Sequence, residues 1–244
     1  MMEWHTHPEI SYFITLTYDD DHVPMTVEGV QTLERKKTAK WIQNLPAEIG
    51  AFRYYLVGEY GDESHRPHYH MALFPDSYSQ VLQLTEKWKR GFTSTYPMAE
   101  TRALYLAQYT TKKLTHYSDE RLAHGQEPEF RTSSRTPPIG APYVPILVSA
   151  YRSRAGQSVI TERGDIERSI RFGGKILPIP RFILDRVRKE LGIPLLHSER
   201  MAHPGYYEIQ SGKEYAEWQP DEALAQEIQN AQKKKILSTI GSKV

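Results

Sequence analysis

Phe52-Arg-Tyr-Tyr-Leu-Val57 runs into Gly58-Glu59-Tyr60-Gly61. After the polar stretch 62–67 the chain resumes as His68-Tyr-His-Met-Ala-Leu-Phe74. Both runs are rich in aromatic and apolar residues, and the stretch between them is turn material, so residues 52–74 read as a hairpin with a widened loop. Side chains at i and i+2 of a strand share a face, so His68 and His70 face one side while Tyr69 faces the other. A hairpin register can bring the Glu59 carboxylate beside the pair. Imidazole suits Zn, Mn, Fe and Cu, and it can join carboxylates around Mg²⁺ or Mn²⁺. One Glu and two His leave open positions on the ion, which suits activation of a phosphodiester. The plainer reading is two surface histidines on a half-exposed strand. His65, in the loop, could substitute as a ligand or simply be solvated.

Working outward, Phe13-Ile-Thr-Leu-Thr-Tyr18 alternates apolar and polar residues and predicts a strand, ended by Asp19-Asp20-Asp21 and Pro24. Gln31 to Leu45 and Ser79 to Arg90 carry helical periodicity, the first closed by Pro46 and Gly50. Thr101 to His116 contains neither Gly nor Pro and is the best helix in the chain. On it Tyr105 and Tyr109, at i and i+4, share a face that Lys112 and His116 continue. Leu104, Ala107, Thr111 and Leu114 form the neighbouring apolar stripe, expected to pack on a sheet. A phenol with an ordinary pKa of about 10 is a weak nucleophile until a cation or base assists it. Lys112 or Lys113 could supply that cation or bind a phosphate. Amphipathic packing with wet hydroxyls is the alternative for both tyrosines.

The chain has 244 residues, 39% hydrophobic and 25% charged, which suits one large domain or two small ones. It has no cysteine, which excludes a disulfide framework, a thiolate metal site and a cysteine nucleophile. No apolar run is long enough to span a bilayer, and Met1 to Ser11 lacks a basic-then-apolar signal pattern, so membrane and secretory classes are set aside. The net charge of +1 hides an asymmetry: residues 131–190 hold twelve Lys/Arg against five Asp/Glu. A basic segment in a balanced chain suggests a polyanion contact. The texture also changes near residue 130, where Pro137-Pro138, Gly140, Pro142 and Pro145 punctuate a loop-rich region. Arg181 to Leu191 reads as a short basic helix, and Asp221 to about Leu237 as a last one. The expected organisation is a core over 1–130 and a basic, DNA-contacting extension over 131–244 that ends in a helix.

A strand ending in Thr-Tyr, a strand-borne His-x-His and a helix with Tyr-x₃-Tyr occur in that order. The combination resembles the HUH endonucleases that initiate rolling-circle replication. It is closer still to the replication initiators of the Microviridae, single-stranded DNA phages, in particular their gokushovirus-like branch. Phe13-Ile-Thr-Leu-Thr-Tyr-Asp-Asp20 is similar to the first block of that group. Gly58-Glu-Tyr-Gly61 with Arg66-Pro-His-Tyr-His70 is similar to the second, and Tyr105-Leu-Ala-Gln-Tyr-Thr-Thr-Lys-Lys113 to the third. Glu129 to Gly140 and Leu177 to Phe182 resemble two downstream signatures, the latter loosely, with Ile179 between its prolines. Relatives commonly carry a longer, Cys-containing segment ahead of the first block.

The resemblance implies an α+β fold: an antiparallel sheet of about five strands with helices on one face, RRM-like in layout, carrying the His pair centrally. It implies that Glu59, His68 and His70 hold Mg²⁺ or Mn²⁺ and that Tyr105 or Tyr109 attacks the scissile phosphate, with Lys112 or Lys113 steadying charge. The product would be a 5′-phosphotyrosine link and a free 3′-OH, followed by strand transfer and circularisation. The substrate would be a single-stranded origin, with Arg131 and Arg135 on its phosphates and Tyr69 available to stack on a base. A host helicase and DNA polymerase would be partners, in the cytoplasm of the bacterial host. The competing readings are an HUH transposase or relaxase acting on other DNA, disfavoured by the paired tyrosines, and a non-catalytic nucleic-acid-binding module.

Overall fold

The computed structural model describes residues 1–61, 64–111, 115–172 and 174–195. Contacts divide the chain into two compact units, Met1–Leu147 and Val148–Val244. In the first unit a short helix α1 (Met2–Thr6) precedes strand β1 (Tyr12–Thr17), and helices α2 (Arg35–Asn44) and α3 (Pro46–Ile49) follow. The expected hairpin forms from β2 (Arg53–Tyr60) and β3 (Pro67–Phe74). Helix α4 (Tyr78–Lys87), strand β4 (Thr93–Pro97), helix α5 (Glu100–Thr111) and strand β5 (Phe130–Ser133) complete the unit up to helix α6 (Tyr143–Arg152), within which the unit boundary falls. The sheet is five-stranded, in the order β4-β1-β3-β2-β5, and every pairing is antiparallel.

The two faces of this sheet differ in what covers them. Ile14, Leu16, Leu56, Tyr69, Met71 and Leu73 point to one face and are buried with Ile42, Leu45, Val81, Leu84 and Trp88 from the α2–α4 region. There the Tyr18 and Tyr69 hydroxyls are 2.9 Å apart, and Trp88 Nε1 donates to the Thr17 carbonyl at 2.9 Å, so the polar atoms of these buried rings are satisfied. The opposite face carries Phe13, Val57, Ala72 and Phe74, and α5 packs on it through Ala103, Tyr105 and Leu106. Helices therefore cover both faces, whereas a single covered face was expected from the resemblance. The reason lies in the strands: both alternate sets of the central strands are apolar, and a sheet that is apolar on both sides must be covered on both. The expected stripe on α5 is also rotated. Leu106 is buried and Ala107 exposed, because turning Tyr105 toward the sheet brings its neighbours Ala103 and Leu106 onto Phe13 and Val57.

Pro46, read from sequence as a stop, instead opens α3, where a missing N–H costs nothing at the first helical position; Gly50 then ends the turn at φ 91°. Pro145 is likewise tolerated in the first turn of α6. In the second unit, α7 (Arg154–Arg163) is capped by Ser153, whose side chain accepts from the Gly156 N–H. A two-stranded hairpin, β6 (Ser169–Phe172) and β7 (Lys175–Pro178), leads to α8 (Arg181–Leu191), which buries Ile183, Leu184 and Val187. The expected basic helix at 181–191 is α8. Its Arg188 is also buried and is held by Asp165, with Nε and Nη2 each 2.8 Å from a carboxylate oxygen, and by Asp185. The expected helix over Asp221–Leu237 lies outside the described residues. Among the described residues no helix is long and apolar enough to cross a membrane.

Candidate metal centre

Strand pairing builds the site. Glu59 on β2 lies directly opposite His68 on β3, and His70 lies opposite both Val57 on β2 and Thr15 on β1. Directly opposed residues point to the same face, so Glu59, His68, His70 and Thr15 rise together from the α5 side of the sheet. Glu59 Oε1 is 3.2 Å from His68 Nε2 and 3.1 Å from His70 Nε2. One donor atom from each of the three residues lies within 4.8 Å of the others, and among the described residues this is the group of that kind. His65 is not part of it; it sits in the β2–β3 loop with φ 51°.

The far nitrogen of each imidazole is engaged. His68 Nδ1 is 3.1 Å from the Arg66 carbonyl, and His70 Nδ1 is 3.0 Å from Thr15 Oγ1. A carbonyl only accepts, so His68 carries its proton on Nδ1 and, when neutral, turns the Nε2 lone pair toward Glu59. Two electron-rich atoms then face each other at 3.2 Å, an arrangement satisfied by a proton or a metal cation between them. Ligands bound at about 2.0–2.2 Å from one ion sit about 3–4 Å apart, so the spacing suits a cation. The outer partners also fix ring orientation, as second partners of metal-bound histidines do.

Glu59 is 5% exposed. Burial alone would raise its pKa, but hydrogen bonds from His68, His70 and Tyr105 outweigh burial and hold it at about 2. The residue is therefore an anionic donor at neutral pH. Tyr105 reaches in from α5, its hydroxyl donating to Glu59 Oε1 at 2.7 Å, while its ring meets His70 edge-on at 5.4 Å. Phe13 stacks on His70 at 5.1 Å and braces it from β1. The result is a half-buried cluster of two imidazoles, one carboxylate and one phenol on a rigid sheet face.

The other sequence-based candidates fall elsewhere. Tyr109 lies in α5, but its side chain, with Lys112 and Lys113, is outside the described residues. Tyr69 is fully buried beneath the sheet, its hydroxyl bonded to Tyr18, so it has no face to offer a base; the alternation that lifts His68 and His70 to one side drives Tyr69 into the core on the other. Arg131 and Arg135 are exposed, the former in edge strand β5, and neither joins the Glu59 cluster. Thr15 and the Arg66 carbonyl were missed by sequence reasoning. A polar Thr in an otherwise apolar inward set was the available signal for Thr15; a backbone carbonyl leaves none.

Fold and site together define an α+β protein whose antiparallel sheet presents a carboxylate–bis-imidazole metal-type cluster with a tyrosine hydroxyl at its edge. Residues 11–114, which contain the whole cluster, match the family model of the phage replication-associated protein ORF2. The chain is similar to three phage proteins. It is 31% identical over 134 residues to replication-associated protein ORF2 of Spiroplasma virus 4, a match covering 46% of this chain and 42% of that one. It is 30% identical over 144 residues to replication-associated protein VP4 of Bdellovibrio phage phiMH2K, covering 50% and 44%. With replication-associated protein ORF4 of Chlamydia phage 1 it shares 26% over 210 residues, covering 77% and 48%. The chain thus spans less than half the length of these relatives. No solved structure matches it. The matches bear out the resemblance to Microviridae-like replication initiators.

Proposed function

We propose that the chain initiates rolling-circle replication by nicking single-stranded DNA at an origin. In this reading Tyr105 is the nucleophile and Glu59, His68 and His70 hold Mg²⁺ or Mn²⁺. The observation that carries it is the 2.7 Å hydrogen bond from the Tyr105 hydroxyl to Glu59, which ties a nucleophile to a metal-ligand set. When bound, the cation would polarise the scissile phosphate and stabilise charge on its oxygens. Glu59, ionised at neutral pH, supplies an anionic donor and orients the phenol. Thr15 and the Arg66 carbonyl hold the two rings so that both Nε2 atoms converge.

The Tyr105 oxygen forms a bond to phosphorus as the bond from phosphorus to the 3′ oxygen breaks. The phenol gives up its proton and the departing 3′ oxygen takes one up. The phosphodiester survives as a phenol ester, so rejoining needs no external energy source. Tyr109, four residues along the same helix, would serve the second cut, and Lys112 or Lys113 would steady phosphate charge. Arg131 would contact DNA phosphates from β5. The free 3′-OH would prime a host DNA polymerase after a host helicase opens the duplex, inside the bacterial cytoplasm.

The test is incubation with 5′- and 3′-labelled single-stranded libraries in Mn²⁺, with and without EDTA. Metal-dependent cleavage that leaves protein attached to the 5′ end of the downstream fragment is expected. Binding without any cleavage would assign the chain to a non-catalytic DNA-binding role.

A further inference from the structure

A groove of about 430 Å³ lies on the face of the sheet opposite the Glu59 cluster, between α2 and the edge strand β5. Its walls carry Arg35 and Gln43 from α2 and Arg135 from the segment after β5; its floor is formed by buried Phe52, Tyr54 and Phe130. The Arg35 guanidinium lies over the Phe130 ring, 5.8 Å from its centroid. No acidic residue lines the groove among the described residues. An apolar aromatic floor between cationic walls complements a ligand with a flat π surface and a negative charge.

Strand alternation links this groove to the catalytic face. On β5, Phe130 lies opposite Gly58 and Arg131 opposite Val57. Phe130 belongs to the core beneath the sheet, whereas Val57 belongs to the core under α5. Arg131 therefore stands on the Glu59 side, beside the Tyr55 hydroxyl, and Arg35 and Arg135 stand on the other. The edge strand thus has cations on both sides. β5 is four residues long, so a flexible chain can pass around it.

We propose that the groove is a second DNA subsite, in which a single strand lays one nucleotide between Arg35 and Arg135 before wrapping the β5 edge to reach the Glu59 face. This rests on the reading of the substrate as single-stranded DNA. Duplex DNA is too stiff and too wide to turn this edge.

The test measures binding of fluorescein-labelled oligothymidylates of about 8 and about 20 nucleotides, in EDTA so that cleavage plays no part. Two variants are compared with wild type: Arg35→Ala/Arg135→Ala, which removes charge, and Ala39→Trp, which fills the groove without changing charge. Circular dichroism melts check that each is folded. Both variants should lose about tenfold in affinity for the longer oligonucleotide. The double variant should also flatten the plot of log affinity against log salt by about 1.4, two single-strand phosphates at about 0.7 each. Unchanged affinity and slope in folded variants would overturn the proposal, as would a loss confined to duplex probes. If wild type fails to nick with Mn²⁺ yet these losses appear, the groove stands and the nuclease reading falls. If wild type nicks and the variants bind normally, the groove falls and the nuclease reading stands.

Discussion

His68 donates its Nδ1 proton to the Arg66 carbonyl, and His70 meets the Thr15 hydroxyl; these two contacts aim both Nε2 atoms at Glu59. Replacing Thr15 by Val keeps the shape of the side chain and removes the hydrogen bond. We expect Thr15→Val to lower Mn²⁺ affinity about 10- to 100-fold and Thr15→Ser to restore most of it, read by calorimetry or by the electron paramagnetic resonance of Mn²⁺. Equal affinities in all three proteins would remove Thr15 from the site. Glu59 makes a pH-dependent prediction. Its folded pKa of about 2 lies below the ordinary 4.5, so its contribution to stability is complete above 4.5 and is lost as pH falls from there through about 2. Urea midpoints of metal-free protein should therefore drop across this window more steeply in wild type than in Glu59→Gln; parallel curves would contradict the assignment. At this scale the sequence was legible where chemistry and spacing coincide. Glu59, His68 and His70 could be read because a two-residue period and a hairpin bring them together. The burial of Tyr69 follows from the same period, but only once the helices covering the second face are known.

Gly58 sits between Val57 and Glu59 in β2, where a Cβ would lie 2.7 Å from Phe130 and 3.0 Å from Tyr69. Both rings belong to the core, so neither can yield freely. Gly58→Ala should cost about 1–3 kcal/mol by overpacking and should displace Glu59, lowering metal affinity as well as the melting temperature. A variant with wild-type melting and metal binding would show that the strands relax there. In α8, Arg188→Ala would leave Asp165 and Asp185 without their buried partner. Because Asp165 keeps some solvent access, the expected loss is about 2–3 kcal/mol, below the range for fully buried pairs, and a thermal melt would measure it. Legibility also varied by element. β1, the β2–β3 hairpin, α2, α4 and α8 announce themselves by alternation or helical period. Strands β4 and β5 do not: each is a short edge strand, and β4 reads Thr-Ser-Thr-Tyr-Pro with no residue buried, so no inward set marks it. The rotation of α5 was hidden for another reason. Its apolar positions surround much of the helix, and the hydrogen bond of Tyr105 to Glu59 accompanies the face that packs.

Across the whole molecule, the first unit unites the pieces that the chemistry requires. Residues separated by more than forty positions, Thr15, Glu59 and Tyr105, converge only because β1, β2 and α5 meet on one side of β3. The order of motifs along the chain made the α+β class and the metal cluster readable. The arginine-walled groove behind β5 was not readable, because Arg35 and Arg135 are a hundred positions apart and meet through packing alone. The central claim is that Tyr105 attacks phosphorus beside a metal held by Glu59, His68 and His70. The most direct measurement traps the covalent protein–DNA adduct formed in Mn²⁺ and maps the modified peptide by mass spectrometry. The account predicts first-turnover modification at Tyr105, lost with EDTA and reduced about 10³-fold or more in Tyr105→Phe. A first-turnover adduct on any other residue, or cleavage that persists undiminished in Tyr105→Phe, would contradict it.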